Sequence, residues 1–246
     1  MSGRCALVTG ASRGIGFGIA ERLATRGFGL TITARREHTL RAAADKLIAA
    51  GAPHVEVVPG DAADPDSALA AVTAHSERFD AMDALVLNAG VGTAGTVGEF
   101  PMSRYTKTLD VNLRTPLTYM QQALPLLRRA AELRPHAGAK VIALSSITGV
   151  FAEPGLGVYG ASKAALLSLV DTFNAEESRN GVVATSLAPA FVATDMSEWA
   201  HDQVPPEQMI PIDDVVGIVE TLVGLSPNTM ISRIVMSRAG TTGYVA

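Results

Sequence analysis

The chain has 246 residues, of which 48% are hydrophobic, 18% charged and 5% aromatic. An apolar share of that size builds a large core and excludes a disordered polymer. Twenty Lys and Arg against 24 Asp and Glu leave a net charge of −4, without the basic excess of a nucleic-acid binder. One cysteine, Cys5, excludes an internal disulfide and a multi-cysteine zinc site, and it fits a reducing compartment. No metal is expected. The N-terminal segment MSGRCALVTG turns apolar after four residues and lacks the long apolar stretch of a signal peptide. No apolar run reaches the roughly 18 residues needed to span a bilayer. A soluble, cytoplasmic protein with no nucleic-acid or membrane partner is the expectation.

Taken in chain order, short Val/Ile/Leu-rich runs alternate with longer Ala-rich segments of helical period. The runs at 5–9, 29–35, 55–59, 84–88, 140–145, 182–187 and 234–236 read as strands. Helical patterns lie near 15–26, 38–50, 65–78, 102–133, 158–179 and 212–225. The strands are apolar throughout rather than alternating, as expected where both faces of a sheet are buried. This pattern predicts an α/β protein: a Rossmann-type doubly wound parallel sheet of about seven strands with helices on both faces. Length alone leaves one domain or two open. No linker or composition break appears, so residues 1–246 read as one domain. The 102–133 segment holds Pro116 and Pro125 and should be kinked or broken there. Residues 189–211 carry four prolines and little strand pattern, and such an irregular connection reads as a substrate lid.

The first strand runs into Thr9-Gly10-Ala11-Ser12-Arg13-Gly14-Ile15-Gly16 and then into a helix. Glycines permit a tight turn and close ligand approach, and a helix N-terminus presents free N–H groups and positive dipole. Gly10, Ser12, Arg13, Gly14, Ile15 and Gly16 therefore form a candidate pyrophosphate site. The strict G-x-G-x-x-G spacing is absent, and no lysine of a nucleotide triphosphatase loop follows. At the end of the second strand stand Arg35 and Arg36, where an acid would hydrogen-bond the ribose 2′-hydroxyl of NAD. Forked guanidinium donors suit a 2′-phosphate instead, which favours NADP(H), and Arg13 is placed to reach the same phosphate. Asp61 and Ala62 follow the third strand, where Asp61 suits the adenine amino group. Asn88, Ala89 and Gly90 follow the fourth, where small residues allow close cofactor approach.

Tyr159 and Lys163 lie four apart at the start of a helix, hence on one face. A phenol with a reference pKa of about 10 is a poor acid at neutral pH. An ammonium about 5 Å away favours the phenolate by about 3 kcal/mol at an effective dielectric near 20, about two pKa units. That brings the phenol into range for acid–base work. Ser146 ends a strand thirteen residues upstream, where its hydroxyl can hold a carbonyl. Asn112, early in the long helix, can fix Lys163 through a water.

Together, TGASRGIG at 9–16, NAG at 88–90, Asn112, Ser146 and YGASK at 159–163 resemble the short-chain dehydrogenase/reductase family over residues 4–240. Within it, the similarity runs to the NADP(H)-preferring single-domain type that includes 3-oxoacyl-[acyl-carrier-protein] reductases. The resemblance implies Tyr159 as general acid, Ser146 as carbonyl orienter and Asn112 supporting a proton-relay water. Lys163 is implied to bind the nicotinamide ribose and to lower the tyrosine pKa. Pro189, Val192 and Thr194 fall in a segment that resembles the family's P-G-x-x-x-T, implied to meet the nicotinamide carboxamide. Three departures stand out: Ala190 replaces the glycine, Leu87 replaces an asparagine, and Ser237-Arg238-Ala239-Gly240 lacks the usual acid and second glycine. The last bears on assembly, for which a homodimer or homotetramer is implied.

Phe191, Met196, Trp199 and Met209 in 189–211 suit a hydrophobic carbonyl substrate. Asp195, Glu198, Asp202 and Glu207 beside them disfavour a carboxylate. An acyl-thioester on an acidic carrier would need a basic landing patch, for which Arg128, Arg129, Arg134 and Arg179 are the candidates. A second reading is a non-catalytic NADP(H)-binding or sensing protein on the same fold; retention of both Tyr159 and Lys163 weighs against it.

Overall fold

Residues 3–241 are described in a computed structural model of the chain. In order come β1 (Cys5–Thr9), α1 (Gly14–Thr25), β2 (Gly29–Ala34), α2 (Glu37–Ala49), β3 (Val55–Pro59), α3 (Pro65–Arg78) and β4 (Ala84–Leu87). They are followed by α4 (Met102–Leu109), α5 (Thr115–Leu133), β5 (Ala139–Leu144), α6 (Gly157–Glu177), β6 (Val182–Pro189), α7 (Ile212–Gly224) and β7 (Arg233–Met236). All strands pair in parallel in the order β3-β2-β1-β4-β5-β6-β7.

The sheet is apolar on both faces because helices cover both. Ala6, Val8, Leu30, Ile32, Val86 and Leu187 point to one side, where they bury side chains of α1, α2 and α7. Leu7, Leu85, Val141 and Ala184 point to the other, against α3, α5 and α6. The strand order reverses between β1 and β4, and a crevice opens there at the carboxyl ends of the strands. Leu87 is buried in the second of these cores, which a polar asparagine would not fill.

The expected long helix at 102–133 is instead two helices joined by a π-turn at Asp110–Arg114. Pro116 has no N–H to offer Asn112, so an uninterrupted α-ladder loses a bond there. The wider turn replaces it, with the Thr115 N–H reaching back five residues to the Asp110 carbonyl. The expected second break is not seen, since α5 continues through Pro125. Among the described residues no helix is long and apolar enough to cross a membrane.

Candidate active site

The crevice is a cleft of about 540 Å³, lined from the glycine loop at one end to Trp199 at the other. At its floor, Gly10 and Gly14 take φ of 66° and 57°, a region that disfavours any other residue. A Cβ on Gly16 would stand 2.4 Å from both Asn88 Nδ2 and the Gly10 carbonyl, so only glycine lets α1 begin this close to the loop. The N-terminus of α1 has no side-chain cap and no acid in its first turn. Its N–H groups and dipole are left for an anion.

Gly10, Ser12, Arg13, Gly14, Ile15, Arg35, Arg36, Asp61, Ala62, Asn88, Ala89, Gly90, Pro189, Val192 and Thr194 all line this cleft; Gly16 supports it from behind. Arg35 and Arg36 are exposed at its rim, and neither has an ion-pair partner among the described residues. Arg13 differs from expectation: its guanidinium binds Asp195 of the 189–211 segment rather than standing free beside Arg35. The Asp61 carboxylate accepts the Ala63 N–H at 3.0 Å, so it caps its own turn while facing the cleft.

The Asn88 loop is fixed by a residue the sequence reading passed over. The Thr9 hydroxyl accepts the backbone N–H groups of Asn88 and Ala89, each at 2.9 Å, and donates to the Val86 carbonyl. In return, Asn88 Nδ2 donates to the carbonyls of Thr9 and Gly10. One threonine at a strand end thus ties β4 to β1 across the cleft floor.

Ser146, Tyr159 and Lys163 converge on the cleft wall, Ser146 from the end of β5 and the other two from the first turns of α6. Close packing sets their spacing. A Cβ on Gly149 would meet the Lys163 backbone at 2.8 Å, and one on Gly160 would meet the Thr148 carbonyl at 2.7 Å. Asn112 is 1% exposed and stands behind Gly90, whose missing side chain leaves room for both Asn112 Oδ1 and Lys163 Nζ. Its amide is fully engaged: Oδ1 accepts the Val91 N–H, and Nδ2 donates to the Val91 carbonyl and to Ser162 Oγ. Asn112 therefore binds the loop after Gly90 to α6.

The electrostatics differ from the simple pairwise expectation. Burial pushes the Lys163 ammonium down to about 8, and its Nζ donates to the Leu144 carbonyl at 2.7 Å. That Nζ lies 5.7 Å from the Tyr159 ring centroid, over the face of the ring. Burial raises the Tyr159 phenol, and a hydrogen bond with Ser146 draws it back. Desolvation penalises phenolate and ammonium alike, which the two-charge estimate omitted.

The 189–211 segment folds over the cleft mouth as two short 3₁₀ turns, Asp195–Ala200 and Pro206–Gln208. Ala200, Val204 and Met209 anchor it against Phe191 and Ala193. Thr194 caps the first turn and faces Gly14 across the cleft. Ala190 is buried and donates to the Met236 carbonyl without a positive φ, so the alanine is accommodated. Phe191, Met196 and Trp199 line the open end, with Trp199 edge-on to Phe191 at 5.6 Å. The arginines considered for a carrier protein are mostly committed: Arg128 to Glu177, Arg129 to Asp80 and Glu132, and Arg134 to Asp83.

The short chain dehydrogenase family model matches residues 4–204. A 3-oxoacyl-[acyl-carrier-protein] reductase of Staphylococcus aureus is 31% identical over 208 residues, 84% of this chain and 81% of that one. A 2-(R)-hydroxypropyl-CoM dehydrogenase of Xanthobacter autotrophicus is 32% identical over 203 residues, covering 81% and 79%. Among solved structures, a 3-oxoacyl-[acyl-carrier protein] reductase of Brucella melitensis in complex with NAD superposes with a TM-score of 0.87 at 29% identity, over 96% of each chain. A Burkholderia cenocepacia short chain dehydrogenase in complex with NADP gives 0.84 at 28%, again over 96% of each. With glycine loop, Ser146, Tyr159 and Lys163 in one cleft of a seven-stranded parallel sheet, this chain belongs to the short chain dehydrogenase family of oxidoreductases.

Proposed function

We propose that the protein is an NADPH-dependent oxidoreductase that interconverts a ketone and a secondary alcohol in one domain. The observation that carries this reading is the convergence of Ser146, Tyr159 and Lys163 in a cleft that ends in Arg35 and Arg36, which have no ion-pair partner among the described residues. The residues present fit NADP(H): the uncapped start of α1 for the pyrophosphate, Arg35 and Arg36 for the 2′-phosphate, and Lys163 for the ribose nearest the chemistry. Gly90 supports the fit, since a Cβ there would stand 3.4 Å from Lys163 Nζ and fill the cradle. When bound, the nicotinamide supplies or accepts a hydride at the carbonyl carbon. Ser146 donates a hydrogen bond to the carbonyl oxygen. Tyr159 gives that oxygen its proton in reduction and takes it back in oxidation, and the Lys163 charge favours the phenolate left behind.

The open end of the cleft carries Leu156, Phe191, Met196 and Trp199, which favours an uncharged carbonyl with an apolar substituent. A 3-oxoacyl thioester has that chemistry, and the Staphylococcus aureus relative's name agrees with it. The 189–211 segment acts as the lid over this substrate. A homodimer or homotetramer in a reducing cytoplasm completes the reading; the buried Cys5 thiol, pushed up to about 12, is inert there.

The test is NADPH absorbance with a panel containing ethyl 3-oxobutanoate, acetophenone, cyclohexanone and an acetoacetyl thioester. Tyr159→Phe should abolish turnover and leave NADPH binding largely intact. Undiminished turnover in that variant defeats the mechanism. Tight NADPH binding with no substrate turned over would favour the sensing role instead.

A further inference from the structure

Ser146 does not meet the cleft alone. Its Oγ accepts the Thr148 N–H at 3.3 Å and the Thr148 hydroxyl at 2.9 Å. A serine hydroxyl has two acceptor sites and one proton. With both acceptor sites filled by Thr148, the remaining proton of Ser146 is available only as a donor toward the cleft, where Tyr159 and the substrate oxygen lie. We propose that Thr148 is a positioning residue that fixes the direction of the hydrogen bonds, Thr148 to Ser146 to the reacting oxygen. This inference rests on the proposed roles of Ser146 and Tyr159.

The local fold supports the assignment. Thr148 is 7% exposed, and among the described residues its hydroxyl is directed to Ser146 Oγ. Its backbone is pressed on α6 at Gly160, which holds the threonine at a fixed height relative to Tyr159. Without the Thr148 hydroxyl, one acceptor site on Ser146 opens. The Tyr159 phenol, already hydrogen-bonded with Ser146, carries a proton able to fill it. A Tyr159-to-Ser146 bond reverses the chain, holds the acid's proton away from the substrate and removes the donor that stabilises the phenolate.

The experiment compares Thr148→Val, nearly isosteric without the hydroxyl, with Thr148→Ser, which keeps it. With ethyl 3-oxobutanoate and NADPH, Thr148→Val should lower kcat about tenfold, the value of one lost neutral hydrogen bond in the transition state. Thr148→Ser should restore most of it, and NADPH affinity should be unchanged in both. A second readout needs no substrate: ultraviolet titration of the Tyr159 phenolate, isolated by subtracting Tyr159→Phe. That titration should move to higher pH in Thr148→Val and in Ser146→Ala, and no further in the double variant. Should Thr148→Val fold poorly, Thr148→Ala gives the same comparison. A wild-type titration in Thr148→Val, or an added shift when it is combined with Ser146→Ala, overturns the proposal. Turnover surviving in Tyr159→Phe instead overturns the mechanism beneath it, so the two failures are distinct.

Discussion

Replacing Lys163 with methionine should abolish turnover and at the same time stabilise the protein. The side chain is 4% exposed, and burial holds its ammonium down from 10.5 to about 8. A lysine displaced that far carries its charge at a cost of about 3 kcal/mol at neutral pH. Methionine keeps the stem and removes the charge, but it orphans the Leu144 carbonyl that Nζ now binds, a loss of about 1 kcal/mol. The net gain is about 2 kcal/mol, or about 4–8 °C in Tm for a chain of this size. The pH dependence carries a definite sign. Between about 8 and 10.5 the unfolded lysine is protonated and the folded one is not, so wild-type stability rises with pH across that window. The cost of the charge is therefore complete below about pH 8 and gone near 10.5. Urea denaturation of both proteins at pH 7 and pH 10 measures it. Lys140, also pushed down by burial to about 8, contributes equally to both and cancels. A variant no more stable than wild type at pH 7 refutes the reasoning, as does a gain that persists undiminished at pH 10.

Three further outcomes follow from the same geometry. Arg35→Asp should weaken NADPH by about 2 kcal/mol, roughly 30-fold, with no loss for NADH, as read by fluorescence titration; an unchanged ratio denies Arg35 the 2′-phosphate. Gly16→Ala places a methyl group 2.4 Å from Asn88 Nδ2 and the Gly10 carbonyl, so overpacking should cost about 1–3 kcal/mol and weaken cofactor binding together; a variant with wild-type Tm and affinity contradicts this. His75 is fully buried, bonded to Thr31 and the Ala81 carbonyl, and burial lowers it to about 4. Its unfolded form takes up a proton near 6.5, so about 3 kcal/mol of stability should drain away between pH 6.5 and 4. In His75→Gln that part of the acid loss should be absent in urea titrations.

Most of the fold is legible in the sequence because both sheet faces are buried. A continuous apolar run such as Cys5–Thr9 has no solvent face to interrupt it, and its limits match the strand found. The break at Asp110–Arg114 was misplaced for a physical reason. A proline disturbs the helix one turn before itself, through the N–H it lacks and the carbonyl it crowds. Pro116 thus acts at Asn112, whereas Pro125 is absorbed in the continuing helix.

At the site, the legible residues are those that chemistry names by type: glycines at a helix start, arginines at a strand end, and a tyrosine with lysine one turn on. Thr9 and Thr148 were missed because a threonine carries no such signature. Each acts only through one hydroxyl aimed at a residue that does, and aim is not written in composition or spacing. Arg13 carries such a signature and lines the cleft, but its partner was not legible. Its type and place suit a phosphate, but the chain folds Asp195 against it from 182 residues away. The Tyr159–Lys163 estimate erred on the same point, since spacing gives the distance between two groups and not the medium around them. Burial raises the phenol and lowers the ammonium, so in this fold both stay closer to neutral than their separation implies. A cleft that discourages both charges holds Tyr159 in its protonated form, whatever the distance to Lys163 alone suggests.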